Sequence, residues 1–337
     1  MKRRDLPMRF SAAAPVRLDL AGGWTDVPPF SAREGGVVVN AAITLVAKAE
    51  LELGGPLIRL VAEDLGETVE CANSSGLVLD GRLDFLKGAL RMFPVQSTCT
   101  LTTRCDAPPG SGLGTSGAIG VALVALLTRA RMEQWGVREI AEHAYQLESH
   151  EVRHPGGRQD QYAAALGGVH KLAFRDPDVG IEPITLDPVF AAALEQRLVL
   201  CYTGRSRVSG ETIARVMGAY ERGEATVTGA LRTLRDLAHA MGEALRAADL
   251  ARVGTLLSEN WRCQQALDAG MCTAEMACLE REMTTAGALG GKAAGAGAGG
   301  SMFFLAPDDP APLIAAARGA GATVLPVRWA SGGVRAW

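Results

Sequence analysis

One stretch of the sequence combines glycines and small hydroxyl residues in a pattern that suits phosphate binding. Residues 106–130 read DAPPGSGLGTSGAIGVALVALLTRA, so a glycine-rich loop runs directly into a mostly apolar segment. This pattern predicts a loop that opens a buried helix. Glycines let the backbone approach an anion closely, while the free N–H groups and the dipole at a helix start favour negative charge. Thr115 and Ser116 would add hydroxyl groups at the same point.

The loop can be compared with two known phosphate-binding patterns and with a purely structural turn. It lacks the lysine that precedes Ser or Thr in a Walker loop. Residues 112–117 do read G-x-G-x-x-G, but a dinucleotide-binding fold needs a strand after the helix, ending in an acidic residue about twenty positions on. TRARMEQWG (128–136) has no strand character. A plain glycine-rich turn before a core helix is the alternative for the loop taken alone.

Three carboxylates stand in polar surroundings where they could take part in chemistry. Asp26 lies in the turn AGGWTDVPPF, Glu148 lies beside the apolar stripe of the predicted helix VREIAEHAYQLESHEV, and Asp160 lies in the polar cluster RQDQ after a Gly-Gly break. A carboxylate can accept hydrogen bonds from two hydroxyl groups. Each position also has a structural interpretation, as the polar tip of a turn or as the solvated flank of a helix.

The segment HEVRH (150–154) matches the H-E-x-x-H pattern of zinc metalloproteases. A zinc site needs both histidines on one face of a continuing helix. Pro155 and two glycines follow His154 directly and should end or fray the helix there. We therefore expect no zinc site at these two histidines.

Composition narrows the class of protein that has to hold these residues. The chain has 337 residues, of which 48% are hydrophobic, so it can bury a large core in two packed lobes. A net charge of −3 gives no basic footprint for nucleic acid, and the longest apolar run, 118–127, is too short to span a membrane. The N-terminus, MKRRDLPMRF, lacks the apolar core of a signal peptide. Seven scattered cysteines fit a reduced, cytoplasmic protein.

Periodicity and turn residues predict an α+β protein with a lobe boundary near residue 190, which gives lobes of 1–190 and 191–337. We expect strands within 8–20, 36–53, 57–62, 97–108, 197–204, 322–328 and 332–337, and one more at the end of 153–174. We expect helices after the phosphate loop, late in 79–93, in 137–152, in a short stretch after RQDQ, in 211–287 with breaks near Gly223 and Gly270, and in 310–320. GGKAAGAGAGGSMFFLAP (290–307) reads as a glycine-rich loop ahead of a strand.

Four of these segments resemble, in chain order, the motifs of the GHMP kinases, a family that includes galactokinase, homoserine kinase, mevalonate kinase and phosphomevalonate kinase. APVRLDLAGGWTDVPP is similar to the first motif, and PPGSGLGTSGA is similar to the second, usually P-x-x-x-G-L-G-S-S-A. In that second motif, Thr115 replaces the first serine and Gly117 replaces the alanine. GGRQDQ resembles the segment with the catalytic carboxylate, and GGKAAGAGAGG resembles the third motif, which would close over the nucleotide side.

The resemblance implies a two-lobed fold, with an N-terminal lobe of the ribosomal S5 domain 2-like type and a C-terminal ferredoxin-like lobe. It implies that ATP binds at Pro109, Gly110, Ser111, Gly112, Leu113, Gly114, Thr115 and Ser116. It implies that the sugar lies against Gly22, Gly23, Thr25, Asp26, Gly157, Arg158 and Gln159. Ser116 and Glu148 would bind Mg²⁺, Asp160 would be the general base, and Arg17 would lie near the transferred phosphoryl group.

These roles agree with what phosphoryl transfer requires. A hydroxyl that attacks the γ-phosphate of ATP needs a carboxylate within hydrogen-bond reach to accept its proton, and a metal ion to offset the phosphate charge. Mg²⁺ keeps several waters and takes few protein oxygens, so one serine and one glutamate are sufficient.

The resemblance does not specify a single acceptor, because different segments resemble kinases of different sugars. GGRQDQYAAALGG, DGRLDFLKG and the closing RWASGGVRAW resemble the heptose 7-phosphate kinases, which phosphorylate the anomeric hydroxyl, whereas AGGWTDVPP resembles the first motif of the L-fucokinases. We therefore expect an anomeric sugar kinase, with D-glycero-D-manno-heptose 7-phosphate as the preferred acceptor and a fucose-type free sugar as the alternative. Trp24 could stack on the apolar face of a 6-deoxy sugar.

A phosphorylated acceptor would need cationic groups some distance from its anomeric carbon. The candidates by proximity to the motifs are Lys87, Arg158, Arg205 and Arg207. A GHMP-fold decarboxylase and a non-catalytic sensor are further alternatives, although a sensor would not need to keep Arg17, Ser116, Glu148 and Asp160 together. A homodimer is an open alternative to a monomer.

Overall fold

The computed structural model describes residues 8–204 and 210–337, which form two β-sheets with helices packed against them. The strands of the described residues are β1 (Arg9–Ala21), β2 (Gly36–Leu53), β3 (Ile58–Ala62), β4 (Glu67–Cys71), β5 (Cys99–Cys105), β6 (Val169–Arg175), β7 (Asp178–Pro183), β8 (Leu198–Tyr202), β9 (Gly290–Ala293), β10 (Ser301–Leu305), β11 (Thr323–Leu325) and β12 (Arg335–Ala336).

The larger sheet is built on the long antiparallel hairpin of β1 and β2, which are rich in Ala, Val and Leu. Its strand order is β12-β1-β2-β5-β3-β4, and β6 and β7 extend it from the first half of β2. The smaller sheet has the order β11-β8-β10-β9 and is antiparallel throughout. This arrangement confirms the predicted α+β class, and the strands that sequence patterns missed are β4, β7 and β9.

The helices of the described residues are α1 (Phe30–Glu34), α2 (Asp84–Met92), α3 (Thr115–Ala130), α4 (Val137–Gln146), α5 (Gln159–Leu166), α6 (Pro188–Arg197), α7 (Gly210–Glu221), α8 (Ala225–Arg246), α9 (Leu250–Gln265), α10 (Ala274–Thr285) and α11 (Ala311–Gly319). α3 is apolar on nearly every side, so it is buried between the larger sheet and α4 and α5. No helix of the described part is long and apolar enough to cross a membrane.

The helical region at 211–287 has one more break than the sequence predicted. Breaks occur near Gly223 and Gly270 as expected, and a third separates α8 from α9. Ala248 adopts a φ of +55° there, and Asp249 caps α9 by accepting a hydrogen bond from the N–H of Arg252. Neither Ala nor Asp is a strong helix breaker, so the hydrophobic pattern did not indicate that α8 ends here.

The two sheets share one continuous hydrophobic core, to which Leu18 of β1, Leu123 of α3 and Leu257 of α9 all belong. The end of the chain also connects the two sheets, because it runs from β11 of the smaller sheet to β12 of the larger sheet. β12 pairs with β1, and the N–H of Gly168 donates to the carbonyl of Ala330. The last residues of the predicted lobe 191–337 therefore pair with the sheet that contains β1 and β2 of the predicted lobe 1–190.

Candidate active site

The phosphate loop connects β5 to α3 through a backbone that favours glycine. Gly110, Gly112 and Gly114 have φ values of +67°, +74° and +74°, in the region that side chains rarely adopt. Gly114 is the residue that precedes α3, so the loop leads directly to the N-terminus of a 16-residue helix. The geometry has the features of an anion-binding helix start.

Two residues of the loop fix it to the rest of the protein instead of facing a cavity. The side chains of Ser111 and Leu113 are completely buried. The carbonyl of Leu113 accepts a hydrogen bond from the N–H of Arg17, and the carbonyl of Ser111 accepts one from the N–H of Ser301. Any contact of Ser111 or Leu113 with a nucleotide would therefore use the backbone.

The other end of the loop borders a cavity of about 470 Å³, called the loop cavity below. Pro109, Gly110, Thr115 and Ser116 line one side of it. The lining also includes the apolar residues Leu65, Leu83, Phe85 and Ile119. A polar, glycine-rich edge beside an apolar recess suits a ligand with a phosphate chain and a flat apolar ring.

Glu148 lies next to Ser116 because α4 does not end as a regular helix. The chain continues as a π-helical turn, Leu147–Glu151, and the carboxylate of Glu148 accepts hydrogen bonds from the Ser116 hydroxyl at 2.8 Å and from the Gln161 amide. Burial raises the pKa of Glu148 to about 7, and the charge of Asp160 adds to this rise. The half-buried carboxylate has no Lys or Arg partner among the described residues. Its oxygens and the Ser116 hydroxyl form an oxygen set of the kind that binds Mg²⁺.

Arg17 and Asp160 are 143 positions apart in the chain and form an ion pair. Arg17 Nε lies 2.8 Å from Asp160 Oδ1, and its Nη1 donates to the carbonyls of Gly112 and Ala294. The side chain of Arg17 is almost fully buried, while that of Asp160 is 24% exposed. Asp160 therefore lies in a fixed position with part of its carboxylate accessible.

Two glycines allow Asp160 to pack against the start of α3. A Cβ added at Gly117 would lie 2.6 Å from the Cβ of Asp160, and one added at Gly114 would lie 3.0 Å from its Cγ. The first distance is too short for any side chain. Gly117, the residue that departs from the usual alanine of the second motif, is thus required by this packing.

A second cavity, of about 160 Å³, lies on the other side of Ser116 and is called the Asp26 cavity below. Its lining includes Asp19, Trp24, Asp26, Gly157, Gln159 and Asp160. Ser116 and His154 line both cavities, so the two are neighbours. A phosphate held at the loop would face an acceptor in the Asp26 cavity.

Asp26 is positioned by the start of α5. Its carboxylate accepts hydrogen bonds from the backbone N–H of Gln159 at 3.1 Å and from the side-chain amide at 3.2 Å. Burial raises the pKa of Asp26 to about 7, and the nearby carboxylates of Asp160 and Asp19 contribute to the rise. A Cβ at Gly157 would lie 1.9 Å from Asp26 Oδ2, so only glycine fits there.

Three of the residues predicted to contact the sugar do not line this cavity. A Cβ at Gly22 would lie 2.0 Å from the carbonyl of Val37, which shows that the residue faces β2. The Thr25 hydroxyl is completely buried and donates to backbone carbonyls. The Arg158 guanidinium pairs with Asp176 at 2.7 Å and lies over the ring of Tyr145.

The cationic side chains predicted to bind a phosphorylated acceptor either already form ion pairs or lie outside the described residues. Lys87 is buried and pairs with Asp80 and with Asp84 of α2, away from the Asp26 cavity. Arg205 and Arg207 lie outside the described residues. Within the described part of the chain, Arg17 is the one Lys or Arg that lines the Asp26 cavity.

Trp24 forms a wall of the Asp26 cavity and anchors the third motif. Its indole N–H donates to the carbonyl of Ala296 at 3.1 Å, and its side chain is 4% exposed. Its φ of +78° is a conformation that glycine adopts more readily, which costs conformational energy. Val27 and Ile213 extend the same apolar wall.

The third motif contacts the phosphate loop and lines the Asp26 cavity. Gly295 packs on Gly112, and Gly295 and Ala296 line the Asp26 cavity, not the loop cavity. Because it contacts the phosphate loop and Trp24 at once, this segment closes the Asp26 cavity. That it closes over the nucleotide side remains a prediction.

The histidines of HEVRH do not share a helix face. Arg153 has a φ of +61°, which ends the helical path before His154. Among the residues that the structure describes, no three His, Cys, Asp or Glu side chains come together as a metal site. The sequence analysis also missed Asp19 and Lys292, which form a buried ion pair beside the Asp26 cavity. The one sequence feature that could have indicated this pair is Lys292, a single lysine among glycines and alanines.

Comparison with known proteins identifies the family. The model of the GHMP kinases N terminal domain matches residues 84–168, and the model of the GHMP kinases C terminal domain matches residues 241–322. The chain is 31% identical over 332 residues to a D-glycero-alpha-D-manno-heptose 7-phosphate kinase of Campylobacter jejuni, with 96% of this chain and 97% of that protein covered. The chain belongs to the GHMP kinase family.

This GHMP kinase is a small-molecule phosphotransferase of a family that uses ATP. It is 28% identical to a bifunctional fucokinase/GDP-fucose pyrophosphorylase of Arabidopsis thaliana over 90% of this chain and 30% of that protein. It also matches a crystal structure described as a D-glycero-D-manno-heptose 1-phosphate kinase from Bacteroides thetaiotaomicron, with a TM-score of 0.79, 28% identity, and coverage of 97% of this chain and 98% of that one. The predicted GHMP fold is thereby confirmed.

Proposed function

We propose that this GHMP kinase transfers the γ-phosphoryl group of ATP to the anomeric hydroxyl of a sugar. The observation that carries the proposal is the excess of hydrogen-bond acceptors around the Asp26 cavity. Asp19, Asp26 and Asp160 contribute carboxylates, and the buried side-chain oxygen of Gln159 has no partner. Such a wall complements a ligand that donates several hydroxyl hydrogens.

The same wall disfavours an acceptor whose anionic group would have to lie inside the Asp26 cavity, such as mevalonate. A carboxylate placed in the Asp26 cavity would face three aspartates, and like charges at close range are repulsive. Arg17, the described cation of this lining, already pairs with Asp160 and two backbone carbonyls. A neutral, hydroxyl-rich ring avoids this repulsion.

Asp160 is proposed as the general base. Its carboxylate is partly exposed toward the Asp26 cavity, which adjoins the phosphate loop. From this position it would accept the proton of the acceptor hydroxyl as the oxygen attacks the γ-phosphorus and the bond to ADP breaks. Arg17 holds Asp160 in place, and its positive charge near the loop would stabilise the transferred phosphoryl group.

Ser116 and Glu148 would hold Mg²⁺, and the donor set fits this ion. Two hard oxygens lie 2.8 Å apart, and burial together with the charge of Asp160 raises the pKa of Glu148, which a bound cation would offset. When bound, the ion would offset negative charge on the phosphates. The phosphate loop would bind the phosphates through its backbone, and the loop cavity would hold the base of ATP.

We propose D-glycero-D-manno-heptose 7-phosphate as the first acceptor to test. The support is the heptose-related names of two relatives that cover nearly the whole chain, together with the segments DGRLDFLKG and GGRQDQYAAALGG. The product would be the 1,7-bisphosphate.

A fucose-type free sugar is the second candidate, and Trp24 favours it. Its indole, with Val27 and Ile213, makes one side of the Asp26 cavity apolar, which suits the methyl edge of a 6-deoxy sugar. The described lining also offers no unpaired Lys or Arg for a distal phosphate.

The experiment that tests the proposal measures ADP release by the purified protein with ATP and Mg²⁺. The acceptors are heptose 7-phosphate, fucose, galactose and mevalonate, each tested at equal concentration. Turnover of at least one of the first two, with none of mevalonate, is expected. Turnover of mevalonate alone would contradict the sugar assignment, and turnover of fucose without heptose 7-phosphate would select the second candidate.

A further inference from the structure

Asp19 and Lys292 form a buried ion pair that the proposed phosphoryl transfer does not use. Lys292 Nζ donates to the carboxylate of Asp19 at 2.9 Å and to its backbone carbonyl at 2.6 Å. Lys292 is 0% exposed and Asp19 is 1% exposed. The pair joins β1 to β9 across 273 positions of sequence. Two charges removed from water in this way are costly, so the pair needs an explanation beyond packing.

One oxygen of this pair is left without a partner. Lys292 binds Asp19 Oδ2, whereas the buried Oδ1 has no hydrogen-bond partner. A buried carboxylate oxygen without a donor is destabilising, and native structures satisfy nearly all such groups. Because Asp19 is one of the residues that line the Asp26 cavity, a ligand in that cavity is the available source of a donor.

Gly23 keeps the approach to Asp19 open. A Cβ at this position would lie 2.1 Å from Asp19 Oδ2 and 3.4 Å from the Gln159 amide nitrogen. Any side chain there would therefore separate Asp19 from the Gln159–Asp26 pair. With glycine, the three polar residues share one continuous wall of the cavity.

We propose that Asp19 is a specificity-determining residue that accepts a hydrogen bond from a ring hydroxyl of the acceptor other than the one phosphorylated. Lys292 is the positioning residue that compensates the charge of the Asp19 carboxylate and fixes which oxygen faces the ligand. The inference rests on the proposed sugar kinase activity. A site built to bind a hydroxyl rejects an analogue that lacks it, because the site's own polar group is then left unpaired.

The test combines Asp19→Asn with a set of monodeoxy analogues of the preferred sugar. Lys292 should keep its hydrogen bond to the amide oxygen of the new side chain, so an NH₂ group would replace Oδ1 and present a donor where an acceptor stood. We expect kcat/KM for the parent sugar to fall by about ten- to a hundredfold, with the KM for ATP changed by less than about twofold. One monodeoxy analogue, poor with the wild type, should lose nothing further in the variant.

Two further variants separate recognition from folding. Asp19→Ala with Lys292→Met removes both charges, and should show the same loss of selectivity against the same monodeoxy analogue even if Asp19→Asn fails to fold. Lys171→Met removes a lysine that pairs with Glu182 outside the cavity, and should leave the selectivity unchanged.

The outcomes distinguish this inference from the proposed function. If the wild type phosphorylates a sugar but Asp19→Asn lowers the activity on every monodeoxy analogue and on the parent by one common factor, Asp19 binds no acceptor hydroxyl and the inference is wrong. If the wild type neither binds nor phosphorylates any sugar, the proposed function and this inference are both wrong.

Discussion

Replacing Asp160 by Asn should nearly abolish turnover while ATP binding stays within a few fold of the wild type. Asparagine retains an oxygen that can accept the 2.8 Å hydrogen bond from Arg17 Nε, so the ion-pair geometry has a neutral substitute of the same shape. What is lost is the group that takes the acceptor proton. A general base contributes about 10²- to 10⁴-fold in rate, which corresponds to about 3–5 kcal/mol of activation free energy.

The assay is steady-state ADP release with saturating sugar and ATP, alongside calorimetric titration of ATP. Asp187→Asn is the matched control, because Asp187 caps α6 through backbone N–H groups and lies outside both cavities. It should alter stability slightly and leave kcat unchanged. If Asp160→Asn kept more than about a tenth of the wild-type kcat, the loss would be too small for a general base and the role would be refuted.

Three further substitutions test the metal ligand and the Asp26 cavity. Glu148→Gln should raise the Mg²⁺ concentration needed for half-maximal activity far more than it lowers the Tm; a lower Tm with unchanged Mg²⁺ dependence would show a structural role. Gly157→Ala places a Cβ 1.9 Å from Asp26 Oδ2, so the KM for the sugar should rise by about tenfold or more while the KM for ATP is retained; equal changes in both would count against a specific effect. Asp26 has a pKa raised to about 7, so its contribution to stability is full below about pH 4 and is lost as the pH rises through about 7. The Tm of Asp26→Asn relative to the wild type should therefore increase between about pH 5 and about pH 8, and a difference independent of pH would contradict the raised pKa.

Local chemistry explains what could be predicted from the sequence. The phosphate loop and α3 were predictable because glycine punctuation and a continuous apolar run act within one short stretch. The main strands were predictable for the same reason, because runs of β-branched residues are a local signal. β12 was predicted as a strand, but its pairing with β1 depends on a contact between the two ends of the chain. Periodicity carries no information about such a contact.

The assembly of the site depended on the family resemblance and could not be derived from spacing. Arg17 and Asp160 meet across 143 positions, and Asp19 and Lys292 meet across 273. The first pair was identified from its motifs. The second lies within the first and third motifs, but nothing in a strand residue such as Asp19 distinguishes a buried pair from a solvated side chain.

Motif membership also does not determine which way a side chain points. Thr25 and Gly22 lie in the first motif beside Asp26, yet the Thr25 hydroxyl is used to hold the turn together and Gly22 is pressed against the carbonyl of Val37. The Arg158 guanidinium lies in the polar cluster RQDQ but satisfies Asp176. These orientations follow from tertiary packing, which a single sequence does not specify.

The position of the new phosphate on the sugar tests the central claim most directly. The purified protein, with ATP, Mg²⁺ and its preferred sugar, should yield a product whose phosphorus couples by NMR to the anomeric proton. Asp160→Asn should yield no such signal in the same time. A phosphate on any other hydroxyl would contradict the proposed transfer to the anomeric oxygen, even if ADP were released.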